Sequence, residues 1–341
     1  MNFLDRAVEI AKRVDPHLTR PNPRVGCVVV RDGKIVSEGA HEKYGGPHAE
    51  VNALNSNPGS NFPAEPGFEI YITLEPCDHF EEKKTPSCTD LLIRTKPKKV
   101  IIGCLDPKFG GKNVEKLRKA GIEVEVRKEE SCTSLNTFFV QSFQQKRPYL
   151  TLKLAQSLDG KITNPGVEYL SNETSRDLVQ QLRAQYSAIL TTTKTVRIDD
   201  PVLNVRLESF HRPFSNPDIL VLGDRPVNKK ARIFSVDDRK IHPFPHQDLK
   251  KTLEECYTLE IDSILTECGA EMATKLLQEH LVNEIILFTA PTIVGTGKDT
   301  FTDEVSLENF KLVETKELDG DVMMRFTLRP SFSSLTAGLS Q

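Results

Sequence analysis

Imidazole, carboxylate and thiol side chains occur in the first third of the chain at spacings that suit a metal-assisted hydrolysis. One residue separates His48 from Glu50, and Cys77 and Cys88 follow. One imidazole and two thiolates form a soft donor set that suits tetrahedral Zn²⁺, and three protein ligands leave the fourth position open for water. Zinc lowers the pKa of such a water, whose proton Glu50 is placed to accept. We therefore predict a catalytic zinc site with Glu50 as its general acid–base.

The alternatives to a catalytic zinc site are unrelated core residues or a purely structural zinc. A single cysteine or histidine is more often a core residue than a ligand. The combination is more specific, because His-x-Glu followed by Pro-Cys and a further cysteine is typical of zinc-dependent deaminases. A structural zinc would need a fourth protein ligand and would have no use for Glu50. His79 is the candidate fourth ligand, but we interpret it as a substrate contact.

Length and composition limit the class of protein. A chain of 341 residues is expected to form two domains. The net charge of −3 gives no global basic field for nucleic acid, and no apolar run approaches the ~18 residues that a membrane span needs. The seven scattered cysteines and the absence of a signal-peptide pattern favour reduced thiols. These features predict a cytoplasmic protein that binds neither nucleic acid nor a membrane.

Strands and helices are predicted to alternate over the first 146 residues. Apolar spacing predicts a helix over 3–14, and Asp32-Gly33 predicts the turn of a β-hairpin. The predicted strands are 25–30, 35–38, 69–74, 99–103 and 122–126, the predicted helices are 48–55, 87–94, 114–120 and 130–145, and 56–67 is a predicted loop. The alternation favours an α/β sandwich around a mixed or parallel sheet. His48 and Cys88 then lie at helix N-termini, where the helix dipole favours a thiolate.

A domain boundary is predicted at Arg147-Pro148, after which a second alternating series begins. Its predicted strands are 149–155, 188–191, 219–222, 263–266 and 284–289, and its predicted helices are 173–185 and 270–279. Residues 225–262 give no clear pattern. The Ser-rich end, 331–341, is predicted to be a flexible tail.

Longer motifs carry a resemblance that covers nearly the whole chain. They are Pro21–Val28, Pro47–Val51, Thr73–Cys77 and Thr85–Cys88 in the first half, and Lys153–Gly160, Asp199–Arg206 and Glu267–Gly269 in the second. Together and in this order they resemble the bifunctional deaminase/reductase family of riboflavin biosynthesis. The resemblance implies an α/β protein, with a cytidine-deaminase-like three-layer domain over 1–146 and a dihydrofolate-reductase-like domain over 147–330.

The resemblance also implies two reactions, their cofactors and a set of binding residues. The first domain would use zinc to remove the ring 2-amino group of 2,5-diamino-6-ribosylamino-4(3H)-pyrimidinone 5′-phosphate, and the second would use NADPH to reduce the ribosyl group to a ribityl chain. The implied substrate residues are Asn22, His79, Arg183, Leu203, Arg206 and Glu267, and the implied cofactor residues are Ala155, Tyr169, Thr195, Asp199, Asp224 and Gly269. Arg183 and Arg206 suit bidentate binding of a phosphate, although a surface ion pair would also explain them. The family suggests a homodimer or larger homo-oligomer whose partner is this small pyrimidine ribosyl phosphate.

The segment between the two cysteines departs from the family pattern. Ten residues, 78–87, separate Cys77 from Cys88, two more than usual, and Asp78 replaces the usual serine. Extra loop residues cost little when both ends are fixed. We therefore expect the zinc site to survive and the loop, with its inserted Glu81-Glu82, to bulge outward.

Other departures and ambiguities lie in the second half. Tyr169 stands where the family often has tryptophan, and an aromatic ring is retained there. Asp224 stands where a small hydroxyl residue often faces the cofactor, and its carboxylate would repel a ribose 2′-phosphate, so NADH stays possible beside NADPH. Gly269 and the run Gly295-Thr296-Gly297 each fit either a phosphate-binding backbone or an ordinary turn.

Two other functions remain as alternatives. Nucleic-acid deaminases acting on tRNA share the His-x-Glu and Pro-Cys core, but the acidic chain, the long cysteine spacing and the reductase motifs oppose that function. A scaffold or regulator with one inactive half is supported by the altered segment between the cysteines. It is opposed by the intact set of four zinc-site residues.

Overall fold

The computed structural model describes residues 2–55, 67–79, 85–167, 169–206, 215–245 and 248–329. The chain forms two compact units, residues 1–146 and residues 147–341. The predicted loop over 56–67 (apart from its last residue), the inserted Glu81-Glu82 and the predicted tail over 331–341 lie outside the described residues. In the part that is described, no helix is long and apolar enough to cross a membrane.

The first unit contains a five-stranded mixed sheet. Its helices are α1 (Phe3–Lys12), α2 (Pro16–Thr19), α3 (Ala49–Asn55), α4 (Cys88–Thr95), α5 (Lys112–Lys119), α6 (Glu130–Leu135) and α7 (Thr137–Gln145), and its strands are β1 (Gly26–Arg31), β2 (Lys34–Ala40), β3 (Glu69–Leu74), β4 (Lys99–Cys104) and β5 (Glu123–Val126). The strand order is β2-β1-β3-β4-β5. β3, β4 and β5 are parallel, whereas β1 is antiparallel to both of its neighbours.

Side chains that alternate along the strands build a core on each face of this sheet. Cys27 and Val29 point to the face that packs against α3, α4 and α5. Val28 and Val30 point to the opposite face, which packs against α1 and α6. The predicted α/β sandwich is therefore confirmed as three layers, with the sheet in the middle.

The single helix predicted over 130–145 is wrong, because the chain forms α6 and α7 with a break at Asn136. The Asn136 side chain pairs with the backbone of Arg24: Oδ1 accepts from the Arg24 N–H at 2.9 Å, and Nδ2 donates to the Arg24 carbonyl at 2.8 Å. Such side chain–backbone pairing competes with the hydrogen bonds of a continuous helix.

The second unit contains an eight-stranded sheet. Its strands are β6 (Tyr149–Ser157), β7 (Ala188–Thr192), β8 (Asp218–Leu222), β9 (Ile241–Phe244), β10 (Ser263–Thr266), β11 (Glu284–Ala290), β12 (Phe310–Leu318) and β13 (Asp321–Leu328), and its helices are α8 (Glu173–Arg183), α9 (Thr193–Asp199), α10 (Leu249–Thr258) and α11 (Ala270–Gln278). The order is β12-β13-β11-β6-β10-β7-β8-β9. β13 is antiparallel to both β11 and β12, and the other neighbours are parallel.

One face of this second sheet carries a large apolar core against α10 and α11. Leu152, Leu190 and Ile264 from the central strands are at most 1% exposed there. The strands predicted for this half are confirmed to within two residues at each end. β9 and α10 occupy part of 225–262, where the sequence showed no clear pattern.

Candidate active sites

A close contact between α3 and β2 fixes the position of α3, which carries Glu50 and is directly preceded by His48. A Cβ at Gly39 of β2 would lie 2.3 Å from the backbone nitrogen of Ala53, so only glycine allows α3 to approach this closely. His48 directly precedes α3, and its carbonyl accepts from the Asn52 N–H at 3.0 Å. Glu50 lies in the first turn.

The two cysteines come from the turn after β3 and the start of α4. Ser87 caps α4, since its Oγ accepts from the Asp90 N–H at 3.0 Å. Thr89 joins the two segments, because its N–H and its Oγ1 each donate to the Cys77 carbonyl at 3.0 Å. The backbones next to Cys77 and Cys88 are therefore fastened together independently of the loop between them.

These elements bring the three predicted zinc ligands into one cluster. His48 Nδ1 lies 3.2 Å from Cys77 Sγ and 3.4 Å from Cys88 Sγ, and all three donor atoms lie within 4.8 Å of one another. Tetrahedral zinc holds such donors roughly 3.5 Å apart, so the residues fit this metal. Thr85 Oγ1 lies 3.0 Å from His48 Nε2. An Nε2–H that donates to Thr85 leaves the Nδ1 lone pair directed at the metal position.

Glu50 is 2% exposed and lines a cavity of about 140 Å³ together with His48 and Cys77. Burial, together with negative charge at Cys77, raises the pKa of the Glu50 carboxyl above its ordinary value. A general acid–base that works near neutral pH needs such a raised pKa. The cavity is thus equipped to move protons next to a metal-bound reactant.

Asn22, a predicted substrate residue, also lines this cavity, where it meets a histidine that sequence reasoning missed. His41 Nδ1–H donates to the Pro47 carbonyl at 3.1 Å, so its Nε2 accepts from Asn22 Nδ2 at 3.2 Å. Burial is the main cause of the lowered pKa of His41, which favours this neutral tautomer. The remaining lining residues outside the predicted set are Pro23, Val25, Leu74, Glu75, Asp106, Lys108, Phe109 and Phe139.

Glu75 organises one wall of the cavity. Its carboxylate accepts from three backbone N–H groups, those of Asp106 (3.3 Å), Gly111 (2.9 Å) and Asn113 (3.0 Å). The segment that contains Asp106 is therefore hydrogen-bonded to Glu75, two residues before Cys77. The position of Glu75 directly before Pro76-Cys77 was the available signal that it belongs to the site. The sequence does not indicate its distant hydrogen-bond partners.

Asp78 closes the base of the lengthened loop. Its Oδ1 accepts from Ser87 Oγ at 2.9 Å, and its Oδ2 accepts from Lys116 Nζ at 2.8 Å. His79 points away from the cavity, with its Nε2 2.7 Å from Asp90 Oδ2 and its side chain 71% exposed. The structure does not bring His79 to the zinc ligands or to the described cavity lining, and its role as a substrate contact stays a prediction.

In the second unit, predicted cofactor residues follow neighbouring parallel strands. Ala155 lies in β6, Thr195 follows β7, Asp224 follows β8 and Gly269 follows β10. The carboxyl ends of parallel strands share one edge of the sheet, which is where open α/β sheets bind nucleotides. A Cβ at Gly269 would meet nothing within 4 Å, and α11 begins there without a side-chain cap. This open helix start fits a cofactor phosphate.

Arg183 and Glu267, both predicted substrate residues, form a buried pair. Arg183 Nε and Nη2 donate to the two Glu267 carboxylate oxygens at 2.6 and 2.9 Å, and Lys153 Nζ lies 3.3 Å from Glu267 Oε2. Burial opposes ionisation, yet the charges of Arg183 and Lys153 lower the pKa of Glu267 to about 2. Lys153 lies within a family-like motif but was not predicted as a site residue.

The structure also describes the other predicted residues of this half. Arg183 Nη1 donates to the Asn204 carbonyl at 3.0 Å, which links it to the segment that contains Leu203 and Arg206. Tyr169 is 53% exposed, and the Arg176 guanidinium lies 4.8 Å from its ring centroid. Asp199 ends α9, and burial raises the pKa of its carboxyl.

The run Gly295-Thr296-Gly297 has the hydrogen bonds of a turn. The Asp159 carboxylate accepts from the Val294 N–H at 3.0 Å and from the Gly295 N–H at 2.8 Å. The Thr296 N–H donates to the Val294 carbonyl at 2.9 Å. These three N–H groups are already bonded within the protein, which favours the turn over a phosphate-binding loop.

Two family models match the chain. Residues 1–104 match the model described as the cytidine and deoxycytidylate deaminase zinc-binding region, which contains all four predicted zinc-site residues. Residues 148–324 match the model of the RibD C-terminal domain. The predicted pairing of a deaminase-like and a reductase-like domain is confirmed.

Curated relatives match over most of their length. The riboflavin biosynthesis protein RibD of Aquifex aeolicus is 37% identical over 320 residues, covering 87% of this chain and 88% of that protein. RibD of Escherichia coli K12 is 33% identical over 364 residues, covering 94% and 97%.

Solved structures agree over the full architecture. Acinetobacter baumannii RibD superposes with a TM-score of 0.86 at 33% identity, covering 96% of this chain and 98% of that chain. A diaminohydroxyphosphoribosylaminopyrimidine deaminase/5-amino-6-(5-phosphoribosylamino)uracil reductase from Thermotoga maritima superposes with a TM-score of 0.85 at 33% identity and the same coverage.

Proposed function

Because the chain belongs to the RibD family of bifunctional riboflavin-biosynthesis enzymes, we propose that residues 1–146 deaminate 2,5-diamino-6-ribosylamino-4(3H)-pyrimidinone 5′-phosphate and that residues 147–330 reduce the ribosyl group of the product. The observation that carries the first assignment is the cluster of His48, Cys77 and Cys88 beside buried Glu50. The second is supported by the buried Arg183–Glu267 pair at the carboxyl edge of the larger sheet.

In the deamination, Glu50 moves the protons. Zinc, when bound by His48, Cys77 and Cys88, supplies the Lewis acidity that makes water nucleophilic near neutral pH. Glu50 accepts one proton from the attacking water and gives it to the ring nitrogen, and it then transfers the remaining hydroxyl proton to the amino group, which leaves as ammonia. A carbon–oxygen bond forms where the carbon–nitrogen bond breaks. The cavity, lined by Glu50 and by the Asn22–His41 pair, is proposed to hold the flat ring beside the carboxylate.

In the reduction, the protein binds and orients the two reactants. A nicotinamide cofactor supplies a hydride when bound. Its contacts are proposed to be Ala155, Tyr169, Thr195, Asp199, Asp224 and Gly269, which support NADPH or NADH. Arg183, Leu203, Arg206 and Glu267 are proposed to hold the sugar and its phosphate, for which arginine is well suited.

Chelation of zinc is expected to separate the two reactions. With the diaminopyrimidinone ribosyl phosphate as substrate, a chelator should stop ammonia release, because the water loses its activation. Oxidation of NADPH with previously deaminated substrate should continue at the untreated rate. Ammonia release and NADPH absorbance, followed separately, measure both activities.

Added Zn²⁺ should restore ammonia release in the chelated protein. Ammonia release that persists after zinc is removed would contradict the zinc mechanism. Loss of both activities together would contradict the assignment of the two reactions to separate units.

Asp224 is expected to weaken the preference for NADPH. It is exposed directly after β8, and its carboxylate would repel the ribose 2′-phosphate if it faces that position. Asp224→Ser should then lower the KM for NADPH about tenfold and leave the KM for NADH unchanged. Asp237→Ser, which removes another exposed carboxylate of this unit, is the control. An NADPH preference that Asp224→Ser does not change would show that Asp224 does not face the 2′-position.

The setting of the enzyme is proposed from its chemistry. None of the seven cysteines, all of which the structure describes, is joined in a disulfide, which supports a reducing compartment such as the cytoplasm. The partner is a small pyrimidine ribosyl phosphate, and a net charge of −3 does not favour nucleic acid. We propose a homo-oligomer on the basis of the family resemblance, and light scattering of the holoenzyme would test it.

A further inference from the structure

We propose that Arg239 is a positioning residue of the reductase site, which holds residues 202–206 in the conformation that binds substrate. The inference rests on the proposed function, in which Leu203 and Arg206 contact the substrate. Arg239 itself lies in the region 225–262, where the sequence shows no clear pattern and no motif.

The segment 202–206 needs to be held, because it has no regular secondary structure and contains an unfavourable backbone conformation. Leu203 has a φ of +52°, in the left-handed region that bulky L-residues rarely adopt. Its side chain is 6% exposed. Such a conformation persists only where surrounding contacts impose it, and it is often found at ligand-binding sites.

The Arg239 guanidinium supplies contacts of this kind. Nη1 donates to the Leu203 carbonyl at 2.7 Å, and Nη2 donates to the carbonyls of Val202 (2.5 Å) and Ile233 (2.7 Å). A planar guanidinium can reach three carbonyls at once, which an ammonium on a flexible stem does less well. Burial lowers the pKa of Arg239 to about 10, so the group stays charged at neutral pH.

Three other side chains bond the rest of the segment. Arg183 Nη1 donates to the Asn204 carbonyl at 3.0 Å. Asn216 Oδ1 accepts from the Val205 N–H at 2.7 Å, and Gln180 Oε1 accepts from the Arg206 N–H at 3.0 Å. Every residue from 202 to 206 thus has a backbone group bonded to a side chain. Arg239 is the side chain that bonds the carbonyl of left-handed Leu203 and the carbonyl of Val202 before it.

Steady-state kinetics of Arg239→Met and Arg239→Lys test this role, with deaminated substrate and NADPH. Loss of a charge-assisted contact to the segment should raise the KM for the pyrimidine substrate about tenfold in Arg239→Met. The KM of Arg239→Lys for the pyrimidine substrate should lie between those of Arg239→Met and the wild type. The Kd for NADPH and kcat should stay within about twofold of wild type. A purely structural defect would instead lower the active fraction, and with it kcat, at an unchanged KM.

Arg329→Met is the matched control, because Arg329 also donates to a backbone carbonyl, that of Phe310, but on the exposed edge formed by β12 and β13. If Arg239→Met does not fold, Arg239→Lys carries the comparison. A wild-type KM in both Arg239 variants, beside a raised KM in Arg206→Gln, would overturn the role of Arg239 alone. An unchanged KM in Arg206→Gln would instead overturn the proposed substrate site, and this inference with it.

Discussion

Glu50→Gln is expected to lower the rate of ammonia release about a thousandfold. The amide cannot accept the proton of the attacking water, although it fills the same buried space at the cavity wall. Zinc should remain bound at wild-type stoichiometry, because Glu50 is not among the three clustered donors. Ammonia release under saturating substrate and zinc content by metal analysis are the two measurements.

Glu115→Gln provides the control for this variant, since Glu115 is an exposed glutamate of α5 that pairs with Arg118 on the surface. It should release ammonia at the wild-type rate. The reductase activity of Glu50→Gln serves as an internal standard for folded protein. Near-normal ammonia release from a fully zinc-loaded Glu50→Gln would show that another group moves the proton.

Arg183→Met is expected to destabilise the second unit by about 3 kcal/mol. The change leaves the buried Glu267 carboxylate with Lys153 as its remaining cation, at 3.3 Å. The pKa of Glu267 is lowered to about 2, so its ionisation stabilises the folded state above the unfolded pKa of about 4.3 and this contribution is lost as pH falls towards 2. The destabilisation should therefore be largest near neutral pH. Urea unfolding at several pH values measures it.

Lys251→Met is the control for stability, because Lys251 and Glu255 form an exposed pair at 3.8 Å that contributes at most about 0.5 kcal/mol. The double variant Arg183→Met/Glu267→Gln removes the stranded charge and should recover part of the lost free energy. An Arg183→Met protein as stable as Lys251→Met would mean that Lys153 alone compensates Glu267.

The cluster of the three proposed zinc ligands could be predicted from the sequence because they lie in short motifs with fixed local geometry. His48 and Cys88 each stand at the start of a helix, and Cys77 lies three residues after the end of the buried strand β3. The role of His79 as a substrate contact, which the family resemblance implies, stays a prediction. In this structure its imidazole lies 2.7 Å from Asp90 in the first turn of α4.

Residues that act through distant partners could not be predicted. Glu75 meets the 106–113 segment, and Arg239 meets 202–203, only because strand order brings those segments together. His41 stands alone in sequence, and its pairing with Asn22 depends on the folded loop. No spacing rule reports contacts of this kind.

Strands that are buried on both faces were predicted, whereas the exposed strand β12 was missed. β3 and β10 read as short apolar runs, and both were placed at their observed bounds. β12 is almost entirely exposed and rich in charge, so it lacks the alternation that marks a half-buried strand. α9 was missed because it begins with two threonines of low helix propensity on either side of a charged lysine. Its start depends on the cap at Thr192, whose Oγ1 accepts from the Thr195 N–H at 3.1 Å.

Each of the two sheets is built from strands that are contiguous in the chain, β1–β5 in residues 1–146 and β6–β13 in residues 147–341. Within the described residues, no strand of the first sheet pairs with a strand of the second half. During synthesis, the first unit therefore has its whole sheet and both of its cores available once residue 146 has left the ribosome, and domains generally fold as units from the N-terminus. A nascent chain can thus begin to bind zinc while its reductase half is still being translated.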